Sequence, residues 1–161
     1  FDSWGSFSIP IFFFIMFIGG CAGSTTCGIK IFRFQVLYAA AKTQFENLAH
    51  PHGVFIPYYN GNPISDEVIK SVMSFFFVFG MTFALLAVGL ALMGIDFLTA
   101  VSAAASAISN VGPGLGPIIG PEGNYSSLPD SAKWLLSAGM LLGRLELFTV
   151  IVLFTRAFWR A

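Results

Sequence analysis

The chain has 161 residues, of which 56% are hydrophobic and 10% are charged, and its mean hydropathy is +0.80. Ordinary soluble domains carry about 25% charged residues, so this composition predicts a membrane protein and excludes an ordinary soluble domain. Eight basic and eight acidic residues give a formal net charge of zero, which offers no case for nucleic acid as a partner. The sequence lacks an initiating Met and becomes apolar close to Phe1, so we expect a fragment of a longer chain.

The first predicted membrane segment is interrupted in its middle. Residues 9–18 are strongly apolar, but ten helical residues rise only about 15 Å, half the thickness of a bilayer core. Residues 19–28 are rich in glycine and hydroxyl side chains, and a helical pattern resumes at residues 29–41. Because helices broken at glycines are typical of transport sites, we interpret residues 1–48 as one membrane helix broken by an intramembrane loop at 19–28.

A polar linker separates this helix from the next one. Residues 49–66 contain two turn signals and both histidines, which we interpret as polar turn residues rather than metal ligands. Residues 67–94 are then apolar over a length that spans a bilayer with some tilt. Ser65 or Asp66 is expected to cap this helix at its N-terminus.

The segment that follows is too short to cross a membrane. Asp96 is expected to cap a helix over residues 97–108, which would rise only about 18 Å. Residues 109–116 are rich in glycine, and irregular backbone at membrane depth must be buried in protein or line a watery cavity. This stretch offers backbone carbonyls and almost no side-chain chemistry, as a cation filter requires. We therefore predict a re-entrant pore helix and a filter, with the partially negative helix end facing the ion.

The last predicted helix, residues 131–160, follows an external loop at 117–130 and carries Arg144 near its middle. A charge at the bilayer centre costs at least about 2.5–3.5 kcal/mol, so Arg144 must face protein or water. An ion pair with Glu146 is disfavoured, because residues two apart on a helix do not face each other. We expect instead that Arg144 reaches carbonyls or hydroxyls of the 19–28 loop and gates or repels cations.

The distribution of basic residues predicts the orientation in the membrane. The predicted helices place Lys133 alone on one side of the membrane. They place the following basic residues on the other side: Lys30, Arg33, Lys42, Lys70, Arg156 and Arg160. By the positive-inside rule the second side is cytoplasmic, so the 49–66 linker is cytoplasmic and the filter enters from outside. Residues 124–126 fit a glycosylation sequon, which we interpret as plain exterior loop.

The sequence also contains features that could suggest other functions. Residues 23–30 are superficially similar to a phosphate-binding loop, but Ile29 separates the second glycine from Lys30 and no strand precedes the loop. Cys21 and Cys27 could form a disulfide, although small packed thiols are the more common case. An intramembrane enzyme is disfavoured because the hydroxyls of the loop have no His or Asp near them in sequence. A non-conducting scaffold subunit stays open as a second alternative.

Four stretches carry a family resemblance. Residues 17–25, 110–116 and 143–146 resemble an intramembrane loop, a filter and a gating-arginine helix of one membrane-protein family. Phe1, Asp2 and Trp4 resemble the tail of the preceding filter of that family. The whole chain is similar to the C-terminal part of TrkH/TrkG-type potassium uptake proteins, in the superfamily of the Trk, Ktr and HKT transporters.

The resemblance implies an all-α integral membrane protein, built of helix–pore loop–helix repeats around a pseudo-fourfold, potassium-channel-like pore. This chain would supply about one and a half repeats: the second helix of the third repeat at 1–48 and the fourth repeat at 67–161. The implied filter residues are Asn110, Val111, Gly112 and Pro113, with K⁺ at Val111 and Gly112. The implied gating residues are Gly19, Gly20, Gly23, Ser24, Thr25, Gly28 and Arg144.

The resemblance also implies how the whole protein works. Potassium is expected as the transported substrate, without a cofactor in this chain and without enzymatic activity. The expected partners are a second copy in a homodimer, membrane lipid, and a TrkA-like cytosolic regulatory subunit that binds nucleotides. The expected location is the bacterial inner membrane, crossed several times.

Overall fold

The computed structural model describes residues 7–145, which form α-helices joined by loops and one small hairpin. The helices are α1 (Ser8–Met16), α2 (Ile31–Ala49), α3 (Asp66–Leu92), α4 (Phe97–Ser109) and α5 (Asp130–Arg144). The strands β1 (Tyr58–Tyr59) and β2 (Asn62–Pro63) pair antiparallel, and a 3-10 turn covers Tyr125–Ser127. The remainder of the predicted helix 131–160 lies outside the described residues.

Helix α3 is the one helix within residues 7–145 that is long and apolar enough to cross a membrane. Its 27 residues rise about 40 Å. Ser65 is the N-cap residue, as predicted, but its side chain makes no capping hydrogen bond. Instead, the Ser65 carbonyl accepts from the N–H of Val68 at 3.1 Å, and Asp66 and Glu67 place negative charge at the positive end of the helix dipole.

The short helix α4 lies at the centre of the structure, packed against α3 and α5. Its alanines are fully buried, and small side chains let neighbouring helices approach closely. Asp96 caps it as predicted, since the backbone N–H of Thr99 donates to Asp96 Oδ2 at 3.1 Å. Hydrogen bonds from Thr99 hold the pKa of the Asp96 carboxyl below its usual value.

Phenylalanine rings fix the end of α1 against α3. The ring of Phe17 packs edge-on to Phe83 at a centroid distance of 5.4 Å and to Phe79 at 6.1 Å. Phe13 packs edge-on to Phe17 at 5.2 Å. Such edge-to-face pairs contribute beyond simple burial, so they anchor the start of the following loop to the helical core.

The interruption between α1 and α2 covers residues 17–30, which is wider than the predicted loop at 19–28. Of the extra residues, Ile18 and Ile29 pair in a parallel β-bridge and Lys30 is extended, whereas Phe17 keeps helical backbone angles as the C-cap of α1. The N–H of Ile29 donates to the carbonyl of Phe17, and the N–H of Gly19 donates to the carbonyl of Ile29, both at 2.9 Å. These bonds satisfy backbone groups that unwinding the helix would otherwise leave without partners.

Candidate filter and intramembrane loop

The chain leaves α4 through two residues with left-handed backbone. Asn110 ends the helix at φ 51° and ψ 44°, and Gly112 follows at φ +108°. Asn is one of the few residues other than glycine that adopts this conformation readily at a helix end. The Asn110 side chain also donates through Nδ2 to the carbonyl of Met140 on α5 at 3.0 Å. The start of the predicted filter is therefore tied to both α4 and α5.

Two serines of α4, one helical turn apart, hold the returning segment. Ser106 Oγ donates to the carbonyl of Gly112 at 2.9 Å and accepts from its N–H at 3.1 Å. Ser102 Oγ holds Leu115 in the same way, with distances of 3.3 Å to the carbonyl and 3.1 Å to the N–H. In the sequence these serines stand in a run of alanines and resemble small packing residues. The signal that could have identified them is a pair of hydroxyls at i and i+4 on an alanine helix facing a glycine-rich return.

The Gly112 carbonyl has a second donor from the predicted external loop. Tyr125 Oη donates to it at 2.9 Å, in addition to Ser106. A carbonyl oxygen has two lone pairs, so both are used by protein donors. This geometry departs from the expectation that Gly112 presents its carbonyl to an ion, because the oxygen faces Ser106 and Tyr125. Burial raises the pKa of the Tyr125 hydroxyl. A tyrosine hydroxyl is protonated at neutral pH and can donate this bond.

Other carbonyls of the segment are open. Residues 110–113 are exposed, between the buried Ser109 and the buried Leu115. Among the residues that the structure describes, no hydrogen bond is made to the carbonyl oxygens of Asn110, Val111 or Pro113. Residues 110–113 thus form an exposed strip that offers three backbone acceptors.

The intramembrane loop is reached by Arg144 from α5. Its Nη1 donates to the carbonyl of Thr25 at 2.8 Å and lies 3.7 Å from Cys27 Sγ. This contact is the one expected for an arginine at membrane depth, which needs acceptors from protein. Within the loop, the N–H of Thr26 donates to Ser24 Oγ at 3.1 Å. Glu146, the alternative partner of Arg144, lies outside the described residues.

The predicted glycines of the loop differ in how tightly they are packed. A Cβ on Gly19 would lie 2.7 Å from the carbonyl oxygen of Cys27, and one on Gly20 would lie 2.9 Å from Thr26 Oγ1. Gly28 adopts a φ of +84°, a conformation that side-chain-bearing residues resist. Gly23 has no atom within 4 Å of the position that a Cβ would take. The folded loop therefore needs glycine at positions 19, 20 and 28 but not at position 23.

A basic cavity of about 240 Å³ lies beside the loop. Lys30, Arg33 and Arg144 line it, together with the hydroxyls of Ser24 and Thr25. Lys30 Nζ donates to the loop carbonyl of Ala22 at 3.4 Å. The guanidinium of Arg33 lies over the ring of Phe75 at 3.8 Å, a cation–π contact that holds it at the cavity wall. The positive charge next to the loop disfavours cations there.

The cysteines and histidines form no site within residues 7–145. Cys21 and Cys27 are free thiols. The described part of the chain holds no group of three or more His, Cys, Asp and Glu side chains that could bind a metal. His50 follows the end of α2, and its N–H donates to the Glu46 carbonyl at 2.9 Å.

The mostly helical architecture, with one helix long and apolar enough to cross a membrane and a short buried helix, is compatible with a helical membrane protein. Residues 1–160 match the model of the family described as TrkH, cation transport protein, and the chain belongs to this family. The family's transporters are membrane proteins, and they are not enzymes.

Individual relatives agree with this assignment. The Trk system potassium uptake protein TrkI of Halomonas elongata is 52% identical over 160 residues, covering 99% of this chain and 32% of that protein. TrkH of Vibrio parahaemolyticus is 37% identical over 161 residues, covering 100% of this chain and 33% of that protein. The crystal structure of the potassium transporter TrkH from Vibrio parahaemolyticus superposes with a TM-score of 0.86 at 36% identity, over 97% of this chain and 33% of that one. The chain therefore spans about a third of the length of the curated relatives it matches.

Proposed function

We propose that this chain forms part of the pore of a Trk-type potassium uptake system, with residues 110–113 as one quarter of its selectivity filter. The observation that carries the proposal is the exposed strip of open carbonyls at Asn110, Val111 and Pro113, held on a segment that Ser102 and Ser106 clamp to α4. Carbonyl oxygens in such a ring replace the hydration shell of a permeating cation. Relatives named as potassium uptake proteins support K⁺ as the substrate.

In the complete protein, residues 1–48 and 67–161 would supply half of the third repeat and all of the fourth repeat of a pseudo-fourfold pore. The protein would cross the bacterial inner membrane several times and act as a homodimer surrounded by lipid. The name Trk system, shared by the relatives, supports further components, and a TrkA-like cytosolic subunit that binds nucleotides is the expected one.

The intramembrane loop would restrict permeation in the resting state. Arg144 stabilises the loop by its bond to the Thr25 carbonyl, and its charge stands beside the two other cations of the basic cavity. A guanidinium can hold loop carbonyls while opposing the passage of a cation. Gly19, Gly20 and Gly28 allow the loop its compact fold, and the gating role is proposed for them together with Gly23, Ser24 and Thr25.

The filter is tested by a matched pair of substitutions in the full-length transporter. Gly112→Ser forces a side chain onto a residue at φ +108°, which displaces the neighbouring carbonyls of Val111 and Pro113. Gly61→Ser imposes the same kind of strain at φ +79° in the β1–β2 turn, and neither glycine has an atom within 4 Å of its Cβ position. We expect Gly112→Ser to lower Rb⁺ over Na⁺ uptake in potassium-starved cells and Gly61→Ser to leave the ratio unchanged. Equal ratios in both variants would sink the filter assignment.

A further inference from the structure

We infer that Tyr125 is a positioning residue that sets the ion selectivity of the filter by holding the Gly112 peptide from outside α4. The inference rests on the proposed function, because it concerns the carbonyls assigned there to the ion. Tyr125 lies in the segment between α4 and α5, thirteen residues beyond the glycine that it contacts.

Three hydrogen bonds converge on one residue of the filter. Gly112 donates its N–H to Ser106 Oγ, and its carbonyl accepts from Ser106 Oγ and from Tyr125 Oη, each at 2.9 Å. The serine hydroxyl has a single proton, which it gives to the carbonyl. Ser106 therefore cannot fill the second lone pair, and Tyr125 supplies the donor that completes the arrangement.

The Gly112 peptide has open space on the side where a Cβ would lie. No atom lies within 4 Å of the Cβ position of Gly112, and glycine has more backbone freedom than any other residue. Pro113, the next residue, has no N–H with which to anchor itself. The N–H of Gly112 lies in the same planar peptide unit as the carbonyl of Val111, so its bond to Ser106 also holds the Val111 carbonyl. The ring of Pro113 fixes φ at that residue, so a turn of the Gly112–Pro113 peptide carries the Pro113 carbonyl with it. Hydrogen bonds to Gly112 thus fix the direction of the open acceptors of Val111 and Pro113.

The tyrosine is itself held in place. Asn124 Oδ1 accepts from the N–H of Ser126 at 3.0 Å, which shapes the turn that carries Tyr125. The ring of Tyr125 packs against the buried core, and Leu128, three residues further, is buried. A half-buried ring with a fixed hydroxyl loses little side-chain entropy on forming its bond, so Tyr125 is a rigid support for the filter.

The test is Tyr125→Phe in the full-length transporter, which removes the hydroxyl and keeps the ring in its packing. A single hydrogen bond corresponds to about a 2- to 10-fold effect, so we expect the KM for K⁺ to rise and the K⁺ over Na⁺ uptake ratio to fall by about that factor. Ser106→Ala should act in the same direction. Tyr59→Phe, the same chemical change on the exposed hairpin, is the control and should match the parent in both quantities.

The outcomes separate this inference from the proposed function. A folded Tyr125→Phe with the KM and the uptake ratio of the parent overturns the inference while the pore assignment stands. A variant that loses only Vmax and protein yield, with an unchanged ratio, shows a merely structural tyrosine and also overturns it. A parent protein that does not discriminate K⁺ from Na⁺ overturns the proposed function instead.

Discussion

Gly143 on α5 is the position where the smallest substitution should have the largest effect. A Cβ added there would lie 1.9 Å from the carbonyl oxygen of Ile108, near the C-terminal end of α4, and 3.1 Å from Asn110 Nδ2. Real Cβ contacts are essentially never shorter than 3.0 Å, and the obstacle is backbone rather than a flexible side chain. Gly143→Ala therefore requires α4 and α5 to separate by about 1 Å.

The magnitude follows from two opposing effects. Overpacking a tight contact costs roughly 1–3 kcal/mol, whereas alanine in place of glycine in a helix gains roughly 1 kcal/mol. The net expectation for Gly143→Ala is a loss of stability of up to about 2 kcal/mol. The same separation would lengthen the bond from Asn110 Nδ2, at the end of α4, to the Met140 carbonyl on α5, now 3.0 Å. At about 1 Å longer, it leaves the range of a hydrogen bond.

The assay is the thermal midpoint of the detergent-solubilised, full-length protein, read from the monodisperse peak in size-exclusion chromatography. Two other glycine-to-alanine substitutions serve as comparisons for the change in thermal midpoint. Gly139→Ala meets Leu86 Cδ1 at 2.8 Å, a side-chain end that can move, and should cost less. Gly80→Ala on α3 meets no described atom within 4 Å and should be neutral or stabilising by up to about 1 kcal/mol. If Gly143→Ala melts with Gly80→Ala rather than below Gly139→Ala, the packing argument is wrong.

Three further predictions concern the gate, the topology and the cap of α4. Arg144→Ala, checked for folding by size-exclusion, should raise K⁺ flux, and a folded variant that conducts no faster than the parent would make this arginine structural. With the native cysteines replaced by serine, a cysteine at Ser127 should react with an impermeant reagent from outside and one at Asn60 should not; the reverse pattern would invert the orientation. Asp96→Ala should lower the thermal stability by about 1 kcal/mol and Asp96→Asn by less. The pKa of Asp96 is lowered in the folded state, so the ionised carboxylate stabilises the protein at pH values above the ordinary carboxyl pKa. This stabilisation is lost as the pH falls through the lowered pKa. Thermal midpoints measured at several pH values check this dependence.

Local signals in the sequence were sufficient to predict α4 and its N-terminal cap. Asp96 followed by Thr99 is a capping pattern whose bond forms between neighbours in the chain, and the alanine run predicts a closely packed helix. The width of the interruption after α1 could not be predicted in this way. Ile18 and Ile29 are apolar and extend helical patterns on either side, and only their pairing across the loop makes them extended.

The candidate site likewise contains one contact that the sequence predicts and one that it does not. The bond from Arg144 to Thr25 was predictable, because a charge at membrane depth requires acceptors and the broken helix supplies them at a similar depth. The direction of the Gly112 carbonyl was not, because it depends on Ser106 and Tyr125, which sit on separate elements. A single tyrosine in the loop before α5 carries no periodic pattern that would indicate a contact with the predicted filter.

Helix α5 contacts both parts of the candidate site through adjacent turns. Met140 accepts from Asn110 at the start of the filter, and Arg144, four residues later on the same face, donates to Thr25 in the loop. Rotation of the Arg144 side chain alone would release the loop and leave the filter bond intact. A displacement of the whole helix by about 1 Å away from α4 would break the bond from Asn110, and Gly143, pressed against Ile108, resists only a movement toward α4. Loop opening by side-chain rotation therefore preserves the filter geometry, whereas opening by helix movement away from α4 disturbs it.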